Sequence, residues 1–455
     1  MAGLSKLVVA VALAVASLPL TDEAVRTEVD RLVAAVATTR HLTYHGTLPV
    51  RVVDRAEAAR EAAHLDDLAA AEPAAQTDAE ILRRLGLVAT PRADADAEWD
   101  DDEASPRFDA VTGRLWVPGF VSLDAQRVAL THEVAHAVAD QRFSLRRLMD
   151  ISPEGRSRLT GDARRARQAL VEGDAMLTGL EVLDPRETFL GVRELAALAA
   201  RLRASAAPET NPGWGATLAG FTHVDGLLFV ARTRQHRPWS AVDALWTDPP
   251  GSTEQILHPE KYESCEAPVT VDASSLPALP GLGHAAASDT VGELAIRAWL
   301  SGAWNAEVAA RAAAGWGGDR AGLYTRPPAE TDAGAPTESK ALAWLTVWDD
   351  PAEADDFARA ARPVLERQAE KKAAEAPTEQ ALPDGAIFSS SNGLFGVARK
   401  GDAVALLVAA PEGSEPALAA MLGTRRPEPS RRGGSRPRPS APPGCQRRGR
   451  AGGSE

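Results

Sequence analysis

Apolar positions recur every three to four residues in TDEAVRTEVDRLVAAVA, Thr21 to Ala37, which predicts an amphipathic helix. Thr21 caps it, with Asp22 and Glu23 in its first turn. The period shortens to two in GTLPVRVVD (Gly46 to Asp54), a strand, and an Ala/Glu/Arg-rich helix follows to about Ala71. DAEILRRLGLV (Asp78 to Val88) predicts a further helix with Gly86 near its end. RFDAVTGRLWVPG (Arg107 to Gly119) has the alternation and turn residues of a hairpin. Three helices come next: about Leu123 to Phe143 with Ser122 as cap, about Ala163 to Leu183 with Asp162 as cap, and Gly191 to Ala206. Thr247 to Tyr262 predicts a turn and a short helix that Pro259 ends.

Residues 271–285 are rich in Pro, Gly, Ala and Ser and predict a linker. Beyond it TVGELAIRAWLSGAW and PAEADDFARAARPVLERQ are helical, while SKALAWLTVWD and GLFGVARKGDAVALLVAA are strand-like. That order fits a small α+β domain over 286–422. Residues 423–455 turn to Arg, Pro, Gly and Ser, a composition that buries no core and predicts a disordered tail. The expected organisation is thus residues 1–16 as a signal peptide, 21–270 as the main domain, the linker, the second domain and the tail. The fold class expected is α+β, with a helix-rich first domain.

Composition narrows the partners. The net charge is −13, but the tail after Thr424 carries nine arginines against two glutamates, so the remaining residues carry −20. An acidic body of this kind argues against a nucleic-acid partner, which demands a basic face. Seven carboxylates crowd RADADAEWDDDEASP without glycine-centred calcium-loop spacing, so this run predicts a solvated loop. Two cysteines, Cys265 and Cys445, provide neither a disulfide framework nor a thiolate metal site, and two unpaired thiols are the simpler expectation. At the amino terminus Lys6 precedes an apolar run from Leu7 to Val15, and Ala14-Val15-Ala16 has the spacing of a cleavage site. The run is too short to span a bilayer, and no later stretch is long and apolar enough. A secreted or periplasmic protein without stable membrane insertion is expected; the oligomeric state is unconstrained.

The chemistry concentrates in LTHEVAHAVADQRF. Residues i and i+4 share a helix face, so His132 and His136 can present two imidazoles to one metal ion. Glu133 is offset by about 100° and can reach a water beside that ion. A catalytic zinc needs a third protein ligand, and ALVEGDAM on the next helix offers Glu172 among apolar neighbours. Gly173 beside it supports the choice. A glycine in mid-helix costs about 1 kcal/mol, so two helices crossing closely at a metal would explain its presence.

"HEVAH" on one helix and the E-G-x-A glutamate on the next resemble the gluzincin class of zinc metallopeptidases. The wider run of LTHEVAHAVADQRF, ALVEGDA, STEQILHPEKY and GWGGDR is similar to a set of uncharacterised bacterial proteins classed as metallopeptidases, and implies no particular substrate. The resemblance covers most of residues 105–350. It implies a gluzincin-like catalytic domain that binds Zn2+ through His132, His136 and Glu172, with Glu133 as general base and a peptide or protein as substrate. It also implies a His or Tyr that steadies the oxyanion, for which His258 and Tyr262 are candidates. The strand before the active helix, Leu115 to Val117, falls where gluzincins place an edge strand that binds extended peptide.

One departure stands out. Four residues after the ligand glutamate, thermolysin-like members carry an aspartate that braces a ligand histidine; here that position is Met176. Asp174 lies about 200° round the helix from Glu172 and is a poor substitute. His41 and His45 also stand four apart, but Gly46 follows and no acid lies between them, so they predict a loop. In WGGDR, Asp319 or Arg320 could orient substrate, although a Gly-Gly turn packed by Trp316 is the simpler expectation. Two rival functions share these residues: hydrolysis of a non-peptide amide or ester by the same metal chemistry, and a non-catalytic binding or scaffold protein with a structural metal site.

Overall fold

The computed structural model describes residues 20–61, 73–88, 105–151, 157–184, 194, 197, 200–202, 213–325, 340–370 and 376–423. The signal-like run, most of the acidic run, most of the Gly191–Ala206 helix and the arginine-rich tail lie outside them. The class is mixed α and β, as expected, arranged on two sheets.

The first sheet has three strands, β1 (Val50–Val53), β2 (Arg107–Asp109) and β3 (Arg114–Pro118), in the order β1-β3-β2. β3 runs parallel to β1 and antiparallel to β2. The strand that directly precedes the active helix is therefore the middle strand, not an edge. β1 arrives from 60 residues upstream and closes its second side, and the open edge belongs to β2. Leu115 and Val117 point into a core made with helix α1 (Asp22–Arg40) and helix α3 (Leu123–Phe143). Trp116, on the opposite face, packs on Val53 and Ala58.

The apolar stripe of α1 (Val25, Val29, Leu32 and Val36) is fully buried against α3. Thr21 caps α1 as expected, its side chain accepting from Ala24 N. Helix α4 (Gly161–Leu183) starts two residues earlier than expected: Thr160 caps it and Asp162 is freed for another contact. After α4 come α5 (Trp214–Ala219), a π-helical turn (Gly220–Asp225) and α6 (Gly226–Arg234) as one continuous rod. The short helices α7 (Thr253–Leu257) and α8 (Pro259–Glu263) follow.

The second sheet has seven antiparallel strands where three were expected. They are β4 (Ala287–Asp289), β5 (Trp316–Thr325), β6 (Lys340–Trp348), β7 (Thr378–Leu382), β8 (Gly385–Ser390), β9 (Gly393–Lys400) and β10 (Ala403–Ala410), in the order β4-β5-β6-β10-β9-β8-β7. Helices α9 (Gly292–Leu300), α10 (Ala306–Ala313) and α11 (Pro351–Glu370) cover one face, over a core rich in Trp and Phe. Helix α2 (Pro73–Arg84) joins this core through Ile81 and Leu82, although it precedes the first domain's catalytic motif in sequence. Helix α12 (Pro416–Gly423) covers the other face. So does the segment expected as a linker. Leu276, Leu279 and Leu282 are buried there, which fixes residues 271–285 on the sheet. WGGDR is strand β5, not a turn; a side chain at Gly318 would meet Val269 O at 2.1 Å. Cys265 is disulfide-bonded rather than free, and the chain's other cysteine, Cys445, lies outside the described residues.

Candidate metal centre

Helix α3 is set at both ends by its own sequence. Ser122 caps it through Ala125 N, and the buried amide of Gln126 donates to Pro118 O (3.2 Å) and Val121 O (2.9 Å), tying its first turn to β3. Its apolar side faces α1, and the opposite side carries His132 and His136 toward α4. The i, i+4 spacing brings the two Nε2 atoms within 3.0 Å of each other.

Helix α4 crosses close enough to complete the set because of glycine. A Cβ on Gly173 would lie 2.2 Å from Gly226 C and O, and one on Gly226 would lie 2.1 Å from Ala169 O. Backbone thus meets backbone where α4 passes α6, immediately beside Glu172. The Oε2 atom of Glu172 sits 3.1 Å from His132 Nε2 and 3.4 Å from His136 Nε2. His132, His136 and Glu172, expected as ligands, thus form one cluster of donor atoms. Their side chains are 10–16% exposed, enough to be reached from solvent.

A fourth histidine was not anticipated. His223 lies in the π-helical turn, and its Nε2 is 3.2 Å from Glu172 Oε2. Its ring stacks on that of His132 with centroids 6.0 Å apart, but it stands outside the cluster of three. Burial disfavours the charged form of His136, yet the Glu172 carboxylate overrides it and raises the pKa to about 9. Burial likewise opposes ionisation of Glu172, and the surrounding histidines overcome it and hold its pKa well below the usual range.

Glu133 lies where β2 passes α3. Its Oε2 accepts a 2.7 Å hydrogen bond from Phe108 N. Leu115, the register partner of Phe108, donates its N–H to Pro49 O on the β1 side. Phe108 therefore turns its N–H and C=O away from β3, toward the open edge of the sheet. The carboxylate of Glu133 is held on that edge.

The remaining candidates are placed elsewhere. His258 Nε2 lies 3.0 Å from Glu293 Oε1 and its Nδ1 3.7 Å from Glu260 Oε1, so both ring nitrogens face carboxylates outside the cluster. Tyr262 donates to Asp248 O. Asp174 accepts from Arg40 Nη1 (2.5 Å) and Trp246 Nε1 (2.7 Å) and braces no histidine. Asp319 is buried and accepts from Val291 N, Gly292 N and Trp316 Nε1, which caps the start of α9. His132 Nδ1 is buried and makes no hydrogen bond among the described residues.

Residues 279–419 match the family described as a domain of unknown function, DUF8575. That span holds the seven-stranded sheet and excludes the histidines and glutamates of the cluster. No curated protein and no solved structure matches the chain.

Proposed function

We propose that this chain is a zinc-dependent peptidase that uses Glu133 as general base. One observation carries the reading: three metal-ligand atoms, His132 Nε2, His136 Nε2 and Glu172 Oε2, stand 3.0, 3.1 and 3.4 Å apart. Four ligands arranged tetrahedrally at zinc distances of 2.0–2.2 Å are separated by about 3.3–3.6 Å, so these atoms need shift only slightly. Two imidazoles and a carboxylate are also a donor set that zinc favours, and three protein ligands leave the fourth position open. When bound, zinc supplies Lewis-acid activation of a water at neutral pH.

The chain's own residues supply the rest. Glu133 takes the proton from the attacking water and passes it to the leaving amine. Its Oε2 is pinned by Phe108 N, which aims the carboxylate and leaves the other oxygen to carry the proton. An extended peptide has a natural track along the open edge of β2, where Phe108 C=O is turned outward beside Glu133. The signal-like run adds export to the proposal, with a secreted or periplasmic location.

Two variants test it together with zinc analysis and a broad peptide pool. Glu133→Gln should retain stoichiometric zinc and lose nearly all hydrolysis. Glu172→Ala should bind zinc far more weakly and lose activity as a consequence. A wild-type protein that binds no zinc, or a fully active Glu133→Gln, would overturn the proposal. Hydrolysis of esters or non-peptide amides with no peptide cleaved would retain the metal chemistry and replace the substrate.

A further inference from the structure

We infer that His223 is a positioning residue for the metal site, donating a hydrogen bond from Nε2 to the ligand carboxylate of Glu172. The inference rests on the zinc reading above. Its basis is a count of donors and acceptors. The Nδ1 atom of His223 has two neighbours, Ala219 O at 3.1 Å and Thr222 Oγ1 at 3.0 Å, and its Nε2 faces Glu172 Oε2 at 3.2 Å.

Three proton arrangements are available to the ring. With hydrogen on Nδ1 alone, Ala219 O is satisfied but a bare nitrogen lone pair is pressed against a carboxylate oxygen, two acceptors with nothing between them. With hydrogen on Nε2 alone, the carboxylate is satisfied and Nδ1 can accept from the Thr222 hydroxyl. With both hydrogens, Ala219 O and Glu172 are satisfied together. Both arrangements without an acceptor clash place a hydrogen on Nε2, so His223 is a donor to Glu172.

The backbone is arranged for this contact. Gly220–Asp225 is wound as a π-turn between two α-helical segments, and the extra residue rotates His223 onto the face that meets α4. The helices can approach to that distance because Gly226, just beyond the turn, meets Gly173, just beyond Glu172. A carboxylate has two oxygens and can swing between one-oxygen and two-oxygen binding. A fixed donor on one side selects its orientation before metal arrives, as outer partners do for other metal ligands.

The test compares zinc affinity by competition with a chromophoric chelator in wild type and three variants. His223→Ala should weaken binding by about 10- to 100-fold, the usual effect of losing such a partner. His223→Gln, whose amide nitrogen falls near the Nε2 position, should recover most of it; His223→Asn, whose amide falls near Nδ1, should not. That rescue pattern is one that mere packing of the π-turn would not produce. Wild-type affinity in all three variants would overturn the inference. So would normal affinity with slowed peptide hydrolysis, which would put His223 on the substrate instead. Nitrogen NMR of histidine-labelled, metal-free protein gives an independent reading: a hydrogen on His223 Nε2 supports the inference and a bare Nε2 overturns it. That reading stands whether or not wild-type protein binds zinc, so failure of the zinc proposal and failure of this one are separable.

Discussion

Replacing Gly173 with alanine should destabilise the protein and loosen the metal site, although alanine is the better helix former. The added Cβ would lie 2.2 Å from Gly226 C and O and 2.8 Å from Leu227 N, all backbone atoms that cannot rotate aside. Real Cβ contacts start near 3.0 Å, so the two helices must part by at least about 0.8 Å. Overpacking of this kind costs roughly 1–3 kcal/mol, and contact with backbone puts it at the upper end. Gain of helix propensity returns about 1 kcal/mol. The net expectation is a loss of about 1–2 kcal/mol, read as a lower urea midpoint with unchanged slope. Zinc affinity should fall as well, because Glu172 and His223 sit on the two elements forced apart. Gly179 is the internal control: it lies on the same helix, and a Cβ there would meet nothing within 4 Å. Gly179→Ala should therefore stabilise, by up to about 1 kcal/mol. If Gly173→Ala proved as stable as wild type, or shifted the midpoint in the same direction as Gly179→Ala, the close crossing would be refuted.

Three further outcomes follow from the same geometry. Three carboxyls are raised chiefly by burial: Asp162 to about 7, Asp289 to about 6 and Glu254 to about 8. The folded state thus holds protons that an unfolded chain releases near pH 4, and these groups make stability fall as pH rises from about 4 to 8. Asp162→Asn stays neutral throughout, so its melting temperature relative to wild type should climb between pH 5 and 8; parallel curves would contradict this. Arg40→Met strands the buried carboxylate of Asp174 and removes a partner of Asp243, and should cost about 3–5 kcal/mol in denaturant titrations. A loss under 1 kcal/mol would mean that the pair is not buried as described. His258→Ala deprives the fully buried Glu293 of a partner and should lower stability by about 1–3 kcal/mol without changing zinc affinity. A selective fall in turnover with unchanged stability would return His258 to a catalytic role.

Much of the site is legible along the chain because its parts are local. Helices α1, α3 and α4 follow from apolar periodicity and from capping hydroxyls within a few residues. The His132–His136 pair needs only the pitch of one helix, and Glu133 follows from its offset. Glu172 could be picked out because an acid in an apolar stretch stands beside an otherwise unexplained glycine.

His223 was not legible in this way. FTHVDG carries no ligand spacing, and a π-turn forms when neighbouring helices favour the inserted residue, which no local pattern encodes. A second mid-helix glycine, Gly226, was the available signal, and it acquires meaning only against Gly173. Asp162 looked like a helix cap because an aspartate precedes the apolar run. In the fold Thr160 caps, and Asp162 accepts from the N–H and hydroxyl of Thr253 across the junction.

The sequence by itself determined which helices form, which face of α3 bears the imidazoles and which glutamate can join them, since each depends on residues one or two turns apart. The tertiary structure decided that β3 is an inner strand, that Glu133 sits at the open edge of β2, that α2 and residues 271–285 belong to the second sheet, and that His223 meets Glu172. Those outcomes depend on pairing and packing between segments tens to hundreds of residues apart. Many registers satisfy the same apolar pattern there, and only the joint burial of all the elements selects one.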